Sequence, residues 1–319
     1  MFHIENGIKL TRAGIALDFR RRQPRAFVSH AHFDHMARHE LALCTPATGR
    51  LYQHRLGRRR VVELAYGRPV EFGGLALTAF PAGHCLGSAM LLADDGSERL
   101  LYTGDFKLGA SATAEPAELP QADVLVMEST FGRPQFRLPP REEAISQLVR
   151  LVGELLADAA TPVLHLYPLG KAQEVTRILA DHGIPVRQHP EIFAISRIYE
   201  ACGVDLGPCA EYRPSPRADA AVITLPKSCP RFRLPGLVRP VSIAVTGWAA
   251  SGGAARRLDV DHAIPLSDHA DYGELLDAVK RVGPAKVYCT HGPAEFVADL
   301  RSRGWDAKRL EWSSERALA

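Results

Sequence analysis

The 319-residue chain is expected to be an α/β protein, and three observations predict it. Short apolar runs separated by turn residues fill its first third. A strand–turn–helix unit stands in the middle, with an apolar run at residues 163–167, the turn Pro168-Leu169-Gly170 and a helical pattern over 171–182. Strand-like runs then return at residues 241–246 and 286–290.

In chain order, Gly7-Ile8-Lys9-Leu10, Ile15-Ala16-Leu17-Asp18 and Ala26-Phe27-Val28 read as short strands. Asp18 ends the second, either as a plain turn residue or as a carboxylate that orients a metal-bound histidine. The third runs straight into Ser29-His30-Ala31-His32-Phe33-Asp34-His35. On extended backbone His30 and His32 point to the same side. Asp34 and His35 follow where residues 34–40 are expected to turn into a helix. One short stretch can therefore offer nitrogen and oxygen ligands to two adjacent metal ions, a donor set that suits zinc and also manganese or iron. The alternative is a His-rich surface loop. Residues 48–56 read as a helix, with Arg50, Arg55, Arg58, Arg59 and Arg60 crowded into and just after it. That run is either a solvated face or a set of phosphate contacts.

From residue 70 to 106 the pattern is β-like, and Asp94-Asp95-Gly96 predicts a hairpin. Pro81-Ala82-Gly83-His84 and Thr103-Gly104-Asp105 each end a strand with a group able to bind a metal. Coming after the His-rich stretch, both are candidate ligands. Glu128-Ser129-Thr130 ends another buried-strand run at residues 123–127. After Pro139-Pro140, Ile145, Leu148, Val149, Val152 and Leu156 recur at helical spacing. A further helix is expected over 191–202 and a strand over 221–225. Residues 136–243 thus read as a small α/β cap inserted into a domain made of residues 1–135 and 244–319. In the last part, Ser267-Asp268-His269-Ala270-Asp271 is expected to open a helix with Asp271 in its first turn. Cys289-Thr290-His291-Gly292 places another histidine at a strand end. Ser251-Gly252-Gly253 is a turn whose backbone amides can face an anion.

Composition is that of a globular protein, 46% hydrophobic and 24% charged. A net charge of +3 neither demands nor excludes a nucleic-acid partner. No uncharged apolar stretch approaches the roughly 20 residues that span a membrane. Met1-Phe2-His3-Ile4-Glu5 lacks a basic start followed by an apolar run. The six cysteines form no C-x-x-C pair and read as reduced thiols. A cytoplasmic protein without a membrane partner is expected.

With these residues in view, the chain resembles the metallo-β-lactamase superfamily, in its β-CASP nuclease branch. Asp18 is similar to the first superfamily motif, His30-x-His32-x-Asp34-His35 to the second, His84 to the third and Asp105 to the fourth. Glu128, His269 and His291 are similar to the three β-CASP motifs, in that order. Within the branch, Gly83-His84-Cys85-Leu86-Gly87-Ser88, Leu169-Gly170-Lys171-Ala172-Gln173 and Leu266-Ser267-Asp268-His269-Ala270-Asp271 look most like the bacterial ligase-associated DNA exonucleases.

The resemblance implies an αββα sandwich with a short inserted β-CASP-like cap, and two divalent metal ions, zinc or else manganese. One ion would be held by His30, His32 and His84, the other by Asp34, His35 and His291, with Asp105 bridging. Asp18 would orient a ligand from behind. The expected catalytic residues are Asp34, His269 as general acid or phosphate donor, and Glu128 holding it. Lys171, at a helix start, and Ser251 and Gly252 are the candidate phosphate contacts. The implied function is a metal-dependent DNA exonuclease that processes strand ends in repair, beside an ATP-dependent DNA ligase and a helicase. His291 pulls the other way, because histidine at that motif is typical of RNA-acting members. An RNA nuclease of the mRNA 3′-end-processing kind therefore stays open.

Overall fold

The computed structural model describes residues 1–4 and 7–310, which fall into two compact units. The first unit comprises Met1–Ala110, Ala114–Pro134 and the chain from Tyr272 onward; the second comprises Ser111–Thr113 and Gln135–Asp271.

The first unit begins with an antiparallel meander of β1 (Phe2–Ile4), β2 (Ile8–Leu10) and β3 (Ile15–Leu17). The strands β4 (Arg25–Phe27) and β5 (Leu41–Cys44) add in parallel, followed by helix α1 (Pro46–Leu56) and the parallel strand β6 (Arg60–Glu63). Local chemistry starts that helix. Thr45 Oγ1 accepts from Thr48 N at 3.2 Å, and Pro46 fills the first turn where its missing N–H costs nothing. A second sheet follows, with β7 (Val70–Phe72), β8 (Leu75–Pro81), β9 (Ala89–Asp94) and β10 (Arg99–Tyr102) antiparallel in succession and β11 (Val124–Glu128) parallel to β10. Along β8 buried and half-buried side chains alternate, as a strand with one face in a core requires.

The second unit runs through α2 (Arg141–Ala157), β12 (Thr161–His165), α3 (Lys171–Asp181), β13 (Val186–Gln188), α4 (Pro190–Ala201), β14 (Cys209–Glu211), β15 (Ala221–Thr224), β16 (Pro240–Val245), α5 (Ala254–Arg257) and β17 (His262–Ile264). Its six strands are all parallel, in the order β14-β13-β15-β12-β16-β17. Leu148, Val175, Ile178, Ile223 and Ile243 belong to the core between that sheet and its helices.

The chain then returns to the first unit as α6 (Tyr272–Val282), β18 (Lys286–Thr290), α7 (Ala294–Ser302) and β19 (Ala307–Arg309). β18 pairs in parallel beside β11, and β19 beside β18. Ile8, Leu10, Phe27 and Leu43 of the first sheet share one core with Leu77, Leu91, Leu100 and Val126 of the second. With α1 against β6 and α7 against β19, this is the αββα sandwich. Among the described residues no helix is long and apolar enough to cross a membrane.

Three details differ from expectation. Residues 244–271 belong to the second unit rather than the first, because β16 pairs with β12, and β17 with β16. Residues 34–40 are irregular, with a turn at Asp34 and bends at His35 and Glu40, rather than a helix. Their backbone groups are taken by Tyr52, whose hydroxyl donates to Ala37 O at 2.7 Å and accepts from His39 N at 3.1 Å. Asp271 stands just before α6 instead of in its first turn, and its carboxylate accepts from Leu138 N at 3.0 Å.

Candidate metal centre

In the first unit the candidate residues sit at C-terminal strand ends. Asp18 follows β3, His30 follows β4, His84 follows β8, Asp105 follows β10, Glu128 closes β11 and His291 follows β18. β3 and β4 are parallel, as are β10, β11 and β18, while β8 and β10 both run opposite to β9. Within each sheet these ends therefore lie at a common edge.

His30 Nε2 lies 3.0 Å from His32 Nδ1, and His84 Nε2 lies 3.3 Å from that same atom. Asp105 Oδ2 is 3.5 Å from His30 Nε2. One donor atom from each of these four residues lies within 4.8 Å of all the others. Zinc bonds of about 2.0–2.1 Å in a tetrahedron put ligand atoms about 3.3–3.4 Å apart, so the set has the spacing and the donor chemistry of a first coordination sphere. Burial, and then the neighbouring imidazoles of His35, His32 and His84, hold His30 well below the usual histidine range. Neutral imidazole is the form that binds a metal.

Asp105 Oδ2 also approaches His35 Nε2, at 3.2 Å. One carboxylate oxygen thus faces both His30 and His35, as a bridging ligand would. Burial works to lower the His35 pKa, but Asp105 and Asp18 prevail and hold it well above the usual range. The rest of this second set is looser. Asp34 Oδ2 stands 3.8 Å from His35 Nε2 on a half-exposed side chain, and the ring centre of His291 is 5.8 Å from that of His35.

Asp18 organises the histidines from behind. Its Oδ1 accepts from Ser29 N at 2.8 Å, and its Oδ2 accepts from Ser29 Oγ at 2.5 Å and from the Tyr102 hydroxyl at 2.9 Å. His35 Nδ1 meets the same Oδ2 at 2.9 Å. A carboxylate only accepts, so the Asp18 contact keeps a proton on His35 Nδ1 and leaves Nε2, which faces Asp105, as the nitrogen a metal would take in exchange for its proton. Ser29 gives its proton to Asp18 and so accepts from His30 Nδ1 at 3.0 Å, which frees the His30 Nε2 lone pair. One carboxylate sets the tautomers of two histidines. Sequence reasoning missed Ser29 and Tyr102. Ser29 immediately precedes the histidine motif, and Tyr102 is the polar member of an otherwise aliphatic strand end, so a signal existed for both.

Gly104 makes this packing feasible. Its φ is +55°, and a Cβ there would come within 2.6 Å of Ser29 Cβ and Oγ. Glu128 is buried, and its carboxylate accepts from Phe106 N at 2.9 Å and from Thr130 Oγ1 at 2.6 Å. It thereby pins the backbone next to Asp105.

The remaining candidates lie in the second unit. His269 stands in a turn after β17, where its backbone N donates to Ser267 Oγ at 2.9 Å. Lys171 is buried, not solvent-facing. Its Nζ donates to Leu266 O at 3.1 Å and lies 3.4 Å from Asp268 Oδ1 and 3.7 Å from Glu174 Oε2. It braces the segment before His269, and those acceptors replace the phosphate expected of it. Arg257 folds over the Ser251–Gly252 turn, with Nη2 donating to Ser251 Oγ and Nη1 to Gly252 O, both at 2.6 Å.

Comparison with known proteins agrees with this architecture. Residues 20–166 match the Beta-lactamase superfamily domain, and residues 254–313 match the Zn-dependent metallo-hydrolase RNA specificity domain. The chain belongs to the metallo-β-lactamase superfamily, in its β-CASP branch. It is 39% identical over 310 residues to a protein of Opitutus terrae named "Probable DNA ligase", covering 95% of this chain and 30% of that one. It is 28% identical over 316 residues to the 5′ exonuclease Apollo of Gallus gallus, covering 88% and 63% of the two chains. To an RNase J-like protein of Methanocaldococcus jannaschii it is 26% identical over 263 residues, covering 67% and 62%. The chain spans less than two thirds of the length of each of these relatives. A crystal structure of a protein of unknown function from Enterococcus faecalis V583 shares the fold, with a TM-score of 0.61 at 15% identity over 90% of this chain and 79% of that one.

Proposed function

We propose that this chain is a metal-dependent phosphodiesterase of nucleic acid, and specifically a cytoplasmic DNA exonuclease that processes strand ends in repair beside an ATP-dependent DNA ligase and a helicase. The observation that carries the reading is the convergence of His30, His32, His84 and Asp105, with Asp105 also facing His35. His30, His32 and His84 would hold one divalent ion and Asp34, His35 and His291 a second, with Asp105 shared; zinc and manganese both suit these donors. Ions held there supply charge neutralisation at a phosphodiester and acidify water at neutral pH.

The chain's own side chains prepare that chemistry. Asp18 and Ser29 keep Nε2 of His35 and of His30 aimed inward, and Glu128 fixes the backbone that presents Asp105. His269 is the proposed proton donor to the leaving sugar oxygen, a role that typically contributes about 10²–10⁴-fold. The DNA assignment is supported by the relative named a probable DNA ligase, which carries a segment like this chain within a longer protein, and by the likeness to the exonuclease Apollo.

An RNA nuclease is the second reading. His291 at its strand end, the RNA specificity domain matched over 254–313 and the RNase J-like relative favour it. End-labelled single strands of DNA and RNA of one sequence, incubated with zinc or manganese and with chelator as control, separate the two. Stepwise, metal-dependent shortening of DNA is the expected result. Preferential cleavage of RNA would replace the DNA reading, and cleavage that survives chelation would remove both.

A further inference from the structure

Phe33 lies in the chain between the ligand candidates His32 and Asp34, yet its side chain is turned outward and is 63% exposed. The ring is nonetheless held. The guanidinium carbon of Arg55, from the last turn of α1, stands 4.3 Å from the ring centre, and Arg55 Nη1 donates to Ala31 O at 2.7 Å. Of the arginines crowded around residues 50–60, this one is thus tied to the backbone of the histidine motif itself. A cation packed against an aromatic ring attracts it electrostatically, so the contact fixes the plane of an exposed ring.

An oriented aromatic ring beside a positive charge is the element with which proteins hold unpaired nucleotides. The ring stacks on a base and the cation attracts the backbone. The geometry points to Phe33 as a stacking surface for the unpaired nucleobase that adjoins the phosphate at the metal centre, with Arg55 as the residue that positions the ring. Every base has a π face, so this contact selects an unpaired strand end without selecting a sequence. The inference deepens the nuclease reading and rests on it.

The test compares two strands of equal length, one natural and one lacking the bases of its terminal nucleotides. Wild-type protein is expected to prefer the natural strand by on the order of 5–100-fold in kcat/KM. In Phe33→Ala that preference falls to near one, and in Phe33→Tyr it returns. A preference that persists in Phe33→Ala overturns the stacking role, as does loss of bound zinc in that variant, which would place Phe33 in the metal centre instead. A second readout needs no cleavage. In metal-loaded Phe33→Trp, read on rapid mixing before turnover, the fluorescence added to that of the three native tryptophans is expected to be quenched by the natural strand and not by the base-free one. Cleavage by the wild type with no such quenching overturns the stacking role and leaves the nuclease reading standing. Quenching in a protein whose wild type cleaves nothing upholds the stacking surface and overturns the nuclease reading.

Discussion

Each unit buries a polar cluster, and the two clusters are built on opposite rules. In the second unit, Lys171 Nζ meets Leu266 O, Asp268 and Glu174, while Glu174 Oε1 lies 2.9 Å from Arg141 Nη2. Cations face carboxylates there, and buried charges persist when they are paired in this way. In the first unit, the nitrogens of His30, His32 and His84 and an oxygen of Asp105 converge at 3.0–3.5 Å. Here electron-pair donors face one another, and a cation is what such a convergence accommodates. Both clusters are buried, so burial alone does not mark a site. The sign of the groups that meet does.

Three substitutions test that contrast, taken from the largest expected effect to the smallest. His32→Ala removes a donor shared by two short contacts. It is expected to lose metal at that centre and all measurable strand cleavage while circular dichroism stays that of the folded protein; a metal-loaded, fully active variant would end the assignment. Lys171→Met leaves buried carboxylates without their central cation. A loss of about 3–5 kcal/mol in urea unfolding is expected, with metal content preserved. If instead stability holds and nucleic-acid binding falls, Lys171 is a phosphate ligand after all. Asp18→Asn keeps the shape behind His35 but replaces the charged acceptor. Metal affinity, read by competition with a chelator, is expected to fall about 10–100-fold, roughly 1.4–2.7 kcal/mol. An unchanged affinity would reduce Asp18 to a turn residue.

Much of the candidate metal centre could be proposed from the chain because its signal is local. His30 and His32 are two positions apart after an apolar strand, and His84, Asp105 and His291 each follow a strand end that can be recognised by its own apolar run. The fold class was legible for the same reason, since alternation and helical spacing are properties of neighbouring residues. The misreadings share a cause as well. Residues 34–40 look helical until Tyr52 takes their backbone groups. Lys171 reads as a phosphate contact at a helix start until Leu266, 95 positions away, accepts a hydrogen bond from it.

The chain thus declared which residues are candidates for the chemistry and which segments form strands and helices, because those patterns are set by spacing along the backbone. Folding decided which sheet β16 joins, which tautomers the histidines hold and what Lys171 does. An apolar run reads the same whichever sheet it enters, and Tyr102 reaches Asp18 across 84 positions. Those outcomes depend on hydrogen bonds and burial between remote segments, and spacing along the backbone carries no record of them.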